Sequence, residues 1–342
     1  KVNSNLVRIR QNLVFEKYIP EYTIADDALI VAIPKSFLVN TLYPLYYNFF
    51  SKLGFKVIIG EVAVKEGIDK QQASFCYPAE LAHGFFKGLI DLKPDYIFLP
   101  QITEVYDQLE KKYNKTCVLL QSEPYYLRST FKNLINGVKL LSPVLNFSKG
   151  YKSSESSFIK LALELGKSKS EADAAFKFAL SQLMQMIAEF SAYGNEALRE
   201  LETDPSKMAI VLFGRSYNAY AKEANLGIPQ KFSSRNLTVI PHDFLPSEIL
   251  DSGENMYWGS GNQILRSARF VKNHQQLFGT YITNFSCGPD SMLIPYFRKI
   301  MGNKPSLTLE LDSHSADAGL NTRIEAAVDI IYRYRELSKK GM

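Results

Sequence analysis

Three cysteines hold most of the chemical potential of this sequence: Cys76, Cys117 and Cys287. Two share a local context. Cys76-Tyr77-Pro78 and Cys287-Gly288-Pro289 each set a cysteine two residues before a proline, at the predicted start of a helix. Proline in a first helical turn fixes φ and gives up an N–H that would have no partner there anyway. The remaining amides and the helix dipole favour negative charge, which predicts a depressed thiol pKa and a welcome for an anionic cluster. Gly288 leaves room for a bulky group to approach the backbone. Cys117 opens a strand-like run, Cys117 to Leu120, before the turn Gln121-Ser122-Glu123-Pro124. Three thiolates converging from separate loops suit iron–sulfur chemistry. Zinc is less well served, since there is no Cys-x-x-Cys or closely spaced histidine pair. The plain alternative is that each cysteine packs as a small hydrophobe, and local chemistry alone does not decide between the two.

Other polar residues stand near these positions. His83 comes seven residues after Cys76 on the same helical face, as a proton donor or as a packing histidine. Glu123 is a candidate base, or else a cap for the helix after Pro124. Ser122 and Ser286 are candidate donors to sulfur, or ordinary turn residues. Arg215, with Ser216 beside it, follows an apolar strand and could clamp a carboxylate or phosphate. The run Asp312-Ser313-His314-Ser315-Ala316-Asp317 leaves a strand and enters a helix, which favours a site, although Asp317 also suits an N-cap. Trp258, in the Gly-rich loop Asn255 to Gly261, is a pocket wall or a loop anchor.

The elements that must position these residues alternate between strand and helix. Predicted strands are Leu29 to Pro34, Phe55 to Ile59, Tyr96 to Leu99, Val118 to Leu120 and Val138 to Leu141, with a helix over Asn40 to Leu53. A helical stretch runs from Ser153 to about Glu202, where Phe176, Leu180, Leu183, Met184, Ile187 and Phe190 form a packing stripe. A second alternation follows: strands at Ala209 to Phe213, Leu237 to Ile240, Tyr281 to Phe285 and Ser306 to Leu311, then a helix from about Thr322 to Leu337. The predicted fold is α/β, with two doubly wound, Rossmann-like parallel-sheet domains joined by a helical segment. The expected divisions are an N-terminal arm over 1–25, a first α/β domain over 26–150, a helical connection over 151–206 and a second α/β domain over 207–342.

Composition narrows the function classes. The 40 basic and 35 acidic residues are mixed along the chain without a Lys- or Arg-rich tract, so no nucleic-acid footprint is expected. The most apolar helical stretch, Phe176 to Tyr193, carries Lys177, Gln182, Gln185 and Glu189, which argues against a membrane span. An odd, low cysteine count fits a reducing, cytoplasmic setting. A chain that opens on Lys1 is expected to be a segment of a longer polypeptide.

The segments FCYPAELAHG (75–84), TCVLLQSEPYYLR (116–128) and NFSCGPDSMLIPYF…LELDSHSADAGLNTR (284–323), with the turn Gly214-Arg215-Ser216-Tyr217, resemble one family. It is the cluster-bearing domain of proteins related to 2-hydroxyacyl-CoA dehydratase activases, itself similar to the subunits of the dehydratases and of benzoyl-CoA reductase. Serine stands at 216 where that family's turn has proline. The resemblance spans roughly residues 25–340. It implies a [4Fe-4S] cluster on Cys76, Cys117 and Cys287, with one iron open to a ligand. It also implies an ATP-dependent activator as electron donor, and an acyl-CoA-type substrate that is dehydrated or reduced. His83 and Glu123 are then the expected catalytic residues, and Arg215, Ser216, His314 and Asp317 the expected substrate contacts. No Gly-x-x-x-x-Gly-Lys-Ser/Thr or Asp-x-Gly-Ser/Thr loop follows a strand, so the chain reads as electron acceptor and not as ATPase. A double-cubane cluster, known in a related group, would need a homodimer sharing thiolates across its interface. A non-catalytic scaffold partnering the activase ATPase is the competing class.

Overall fold

The apolar runs form two four-stranded parallel sheets. The structure, a computed structural model, describes residues 4–71, 76–107, 113–246, 256–312 and 317–339. In chain order the first half supplies β1 (Ile30–Pro34), β2 (Lys56–Gly60), β3 (Tyr96–Phe98), β4 (Gln101–Glu104), β5 (Lys139–Leu141) and β6 (Val144–Asn146). The second half supplies β7 (Ala209–Phe213), β8 (Thr238–Pro241), β9 (Leu277–Asn284) and β10 (Ser306–Leu311). The sheets are ordered β2-β1-β3-β5 and β10-β9-β7-β8, and all their pairings are parallel. These are the doubly wound α/β sheets that the alternation of patterns predicts.

A separate parallel pair, β4 with β6, continues the paths of β3 and β5. Pro100 and Pro143 interrupt both paths at the same level, because proline has no N–H to give to the ladder. The flanking bonds Leu99 N–H to Leu141 O and Gln101 N–H to Pro143 O hold the two paths in register across the break. The extension carries Thr103 to the Thr116 amide (3.1 Å), which fixes the residue before Cys117.

In both sheets the order of strand addition reverses, at β1/β3 and at β7/β9, and ligands of open α/β sheets bind outside the carboxyl ends at such reversals. The loops after β7 and β9 hold Arg215 and Cys287 there.

The Lys169–Glu202 helix packs along the Val39–Lys52 helix and starts from a Ser168/Glu171 capping box. At Gly194 it passes so close to the His242–Phe244 turn that a Cβ would lie 1.8 Å from the Phe244 carbonyl oxygen. Only glycine fits that approach, which seats the turn after β8 against the helix. Met184 departs from the packing stripe: it is exposed on this helix and borders a cavity described below.

Near the N-terminus the Leu6–Asn12 helix packs against β8, and Arg10 is fully buried. Its guanidinium lies between the Phe190 and Tyr220 rings, donates to the Asn40 carbonyl (2.9 Å) and pairs with Asp243 (2.8 Å). One cation thus joins elements from both halves.

Three expectations are corrected. Val118 to Leu120 is not a strand but the start of the Val118–Gln121 helix, because Leu120 N–H bonds the Cys117 sulfur and the Gln121 side chain bonds the Thr116 carbonyl. The strand expected at Tyr281 to Phe285 begins at Leu277 and ends at Asn284, leaving Phe285 exposed. The Gly-rich loop at 255–261 enters the Gly259–Asn273 helix, where a Cβ on Gly259 would meet Val105 Cγ2 at 2.3 Å. That glycine serves close packing, not flexibility. Among the described residues no helix is long and apolar enough to cross a membrane.

Candidate metal centre

All three cysteines occupy the same structural position: each is the N-cap of a helix. Cys76 precedes Tyr77–Asp91, Cys117 precedes Val118–Gln121, and Cys287 precedes Gly288–Met301. Pro78 and Pro289 take first-turn positions, as the Cys-x-Pro spacing predicts. Leu120 N–H donates to Cys117 Sγ at 3.4 Å. The Ala79 and Asp290 amides approach Cys76 and Cys287 closely enough to favour their thiolates, short of full hydrogen-bond geometry.

The thiols share one electrostatic neighbourhood. Burial pushes the Cys76 thiol up to about 12; the Ala79 amide and the Arg215 guanidinium oppose this, while charge on Cys117 or Cys287 adds to it. Burial likewise raises Cys287, against the pull of Arg215. Tyr217 feels all three sulfurs, and Tyr126 feels Cys76 and Cys117. The depressed pKa expected at the helix N-termini is therefore overturned for Cys76 and Cys287, because desolvation outweighs the local amides. The metal-free thiols of Cys76 and Cys287 are neutral, so loading a metal on them releases protons. Among the described residues no three His, Cys, Asp or Glu side chains come close enough to hold a single metal ion.

Arg215 is the cation of the site. It follows Gly214, whose φ of +139° and whose approach to the Ile282 carbonyl (2.6 Å to a built Cβ) exclude other residues. The guanidinium is 8% exposed and pairs with Asp290 at 2.8 Å, while Asp290 also accepts from Tyr281 Oη (3.0 Å) and Thr283 Oγ1 (2.5 Å). Burial works against its charge, but the Asp290 carboxylate keeps it protonated. Its Nε, the Ser216 hydroxyl and the Tyr126 hydroxyl are buried without a hydrogen-bond partner. Arg215 and Tyr126 share the thiols' charge environment, Ser216 borders the same cavity as Cys117, and all three are donors, which is what the sulfides of an anionic cluster require. The residues present fit such a group.

Of the other expected residues, Glu123 is buried (6% exposed) at the first turn of the Glu123–Thr130 helix. Burial pushes its carboxyl up to about 7, and the nearby Ser36 hydroxyl lowers it slightly without good hydrogen-bond geometry. Tyr46 and Ser36 border the same small void, of about 10 Å³. His83 contacts the Ala79 carbonyl through Nδ1 (2.7 Å) and stacks on Tyr126, and burial lowers its pKa. Ser122 Oγ donates to the Val118 carbonyl, and Ser286 is exposed with φ of +60°. Asp317, itself exposed, starts the last helix paired with Lys231 (2.5 Å) and does not line the cavity; Arg323 donates to the Thr308 carbonyl. His314 lies outside the described residues.

Cys117, Arg215 and Ser216 also border a cavity of about 360 Å³ between the two sheets. Its lining also includes His242 and Arg266, which the spacing of motifs does not mark, and Trp258, a pocket wall as its loop suggests. The available signal for His242 was its place directly after the buried strand Thr238–Pro241, at the ligand edge of the sheet.

The Glu123 shift has a measurable consequence. Its folded pKa is raised from 4.5 to about 7, so between these values the folded state binds more protons than the unfolded. Stability then falls as pH rises through that window, by up to about 3 kcal/mol. Glu123→Gln keeps the shape of the protonated acid and removes this dependence. Urea denaturation at pH 5 and pH 8 should show the variant gaining on the wild type by that amount, and parallel curves would contradict it.

No curated protein matches the chain. Residues 30–245, a span that contains Cys76, Cys117, Glu123 and Arg215 and stops short of Cys287, match a family model described as the CoA enzyme activase uncharacterised domain, DUF2229, and the chain belongs to that family.

Proposed function

We propose that this chain holds a [4Fe-4S] cluster on Cys76, Cys117 and Cys287, and uses an electron from an ATP-dependent activator to dehydrate or reduce a CoA thioester. The observation that carries the reading is the common N-cap position of three thiols that share one charge environment with Arg215. One thiol on each of three irons asks for three separated sulfurs, not for three side chains on one ion. When bound, such a cluster supplies a low-potential one-electron donor beside the cavity.

The chain's own residues set the conditions. Arg215 stays protonated and offsets negative charge that would otherwise be buried unpaired. Its unpartnered Nε–H and the Ser216 and Tyr126 hydroxyls are donors left to meet the cluster's sulfides. Glu123, with a pKa of about 7, exchanges a proton at neutral pH through its unpartnered Oε1. The cavity walls keep bulk water from an acyl group held there.

The family supports the partner in this proposal, since it is described by its relation to CoA-enzyme activases. Large apolar side chains also flank the cysteines at the surface: Val118 beside Cys117, Phe285 two residues before Cys287, and Met292 in the helix after it, all exposed. An apolar rim around a buried redox group suits a docking protein.

The test is iron and acid-labile sulfide content after preparation and reconstitution without oxygen. About four of each per chain, with broad absorption near ~400 nm, is the expected result. Folded protein that takes up no iron would overturn the proposal.

A further inference from the structure

Four ionic side chains line the cavity, and each is cancelled by an opposite charge. Arg215 pairs with Asp290 at 2.8 Å, Arg266 with Asp107 at 2.8 Å and Asp243 with Arg10 at 2.8 Å, and Lys115 pairs with Glu104. Asp290, Asp107 and Arg10 are almost wholly buried, so these pairs are not loosened by water. A carboxylate or phosphate entering this space would lose its hydration and meet only cations whose charge a carboxylate already balances, with Arg215 Nε–H as the one unused donor on them among the described residues.

The walls still carry unused hydrogen-bonding atoms. His242 Nε2 lies 3.2 Å from the Gly214 carbonyl, which can only accept, so Nε2 bears the proton. In the neutral ring Nδ1 is then an acceptor, and it is buried without a partner. Burial also holds this ring neutral, since its pKa is lowered. The ring cannot turn freely: it stacks on Phe213 with planes 6° apart, and its backbone N–H is bonded to Tyr220 Oη (2.9 Å). In the same lining Trp258 Nε1, which can only donate, is buried without a partner as well. The rest of the wall is largely apolar, with Leu42, Leu120, Phe147 and Ile187.

We infer that this cavity is a binding site for the uncharged acyl end of a ligand, whose carbonyl oxygen accepts from Trp258 Nε1 and which, where that end is an amide, also donates its N–H to His242 Nδ1, and that the cavity rejects the corresponding free acid. The inference rests on the proposed thioester chemistry for its biological meaning, and adds to it the charge rule by which the site chooses. Coenzyme A, with its phosphates, stays outside this volume, and the acyl end enters. Unpaired donors and acceptors of this kind discriminate strongly, because a ligand that leaves them unsatisfied forfeits their desolvation.

The test uses butyramide and butyrate, a neutral amide and its near-isosteric anion, titrated against the whole chain by ligand-observed NMR at pH 7.5. Butyramide is expected to bind more than about tenfold tighter than butyrate. His242→Phe and Trp258→Phe are each expected to weaken butyramide by about threefold to tenfold, the worth of one neutral hydrogen bond. Trp258→Phe leaves the Gly214 contact of His242 untouched, so it answers even where His242→Phe disturbs folding. Equal or tighter binding of butyrate, no binding of either probe, or butyramide affinity unchanged in both variants would each overturn the inference. The titration measures neither iron nor turnover, so its failure is separate from a failure of the cluster assignment.

Discussion

Replacing Cys287 by serine is expected to cut reconstituted iron from about four per chain to less than about one, with the protein still folded. The position makes this a clean test. Cys287 is a helix N-cap, and serine is a better N-cap than most residues, since its oxygen accepts from the amides of the first turn. The sulfur makes no full hydrogen bond there. Stability of the metal-free variant should therefore stay within about 1 kcal/mol of the parent or rise slightly, as read from its denaturation midpoint. The same logic applies at Cys76, which sits at the head of the Tyr77–Asp91 helix. At Cys117 serine would inherit the Leu120 N–H now given to Sγ. Three folded variants that each lose iron would mark the thiols as ligands. Full iron and sulfide retained in all three would remove the cysteines from the site and leave the scaffold reading.

How much of this was legible in advance depends on the kind of signal. The Cys-x-Pro pairs marked two helix starts correctly, because proline restricts φ whatever the tertiary context. Cys117 carries no such mark. Its run of Val118, Leu119 and Leu120 is apolar enough to pass for a buried strand, and only the sulfur–amide bond and the Gln121 contact with Thr116 show otherwise. The strand that fills that role in space is Gln101–Glu104, a half-polar segment after Pro100 that periodicity does not single out. Long parallel strands such as Ala209–Phe213 were plain, since burial on both faces demands a continuous apolar run.

The cavity was the least legible part. His242 lies in the turn after β8, while Trp258 caps the Gly259–Asn273 helix that holds Arg266, and their neighbourhood exists only once these elements are packed together. The charges of Asp243 and Arg266 in the same lining cancel against Arg10 and Asp107, residues 233 and 159 positions away in sequence. Pairings at that separation leave no local pattern. Likewise, the raised pKa of Cys76 follows from burial by surrounding elements, which outweighs the amides that the sequence did place correctly.

The Arg215–Asp290 pair should dominate the energetics of the site. Asp290 is 2% exposed and satisfies three donors, from Arg215, Tyr281 and Thr283. Asp290→Ala leaves a buried guanidinium whose Nε already has no partner. Removing one member of a buried pair costs about 3–5 kcal/mol, and that loss is expected in the urea midpoint of the metal-free protein. The neutral thiols of Cys76 and Cys287 offer no substitute charge, since burial holds both pKa values up. Replacing both partners, as Arg215→Met with Asp290→Leu, removes the stranded charge and should recover most of the stability. The cycle closed with Arg215→Met and Asp290→Leu as its single variants then gives a coupling of at least about 3 kcal/mol. After anaerobic reconstitution the cost of Asp290→Ala should shrink, because an anionic cluster on the three thiols would face Arg215 in place of the lost carboxylate. An equal loss with and without iron would separate Arg215 from the metal centre and leave it as a structural cation of the second sheet.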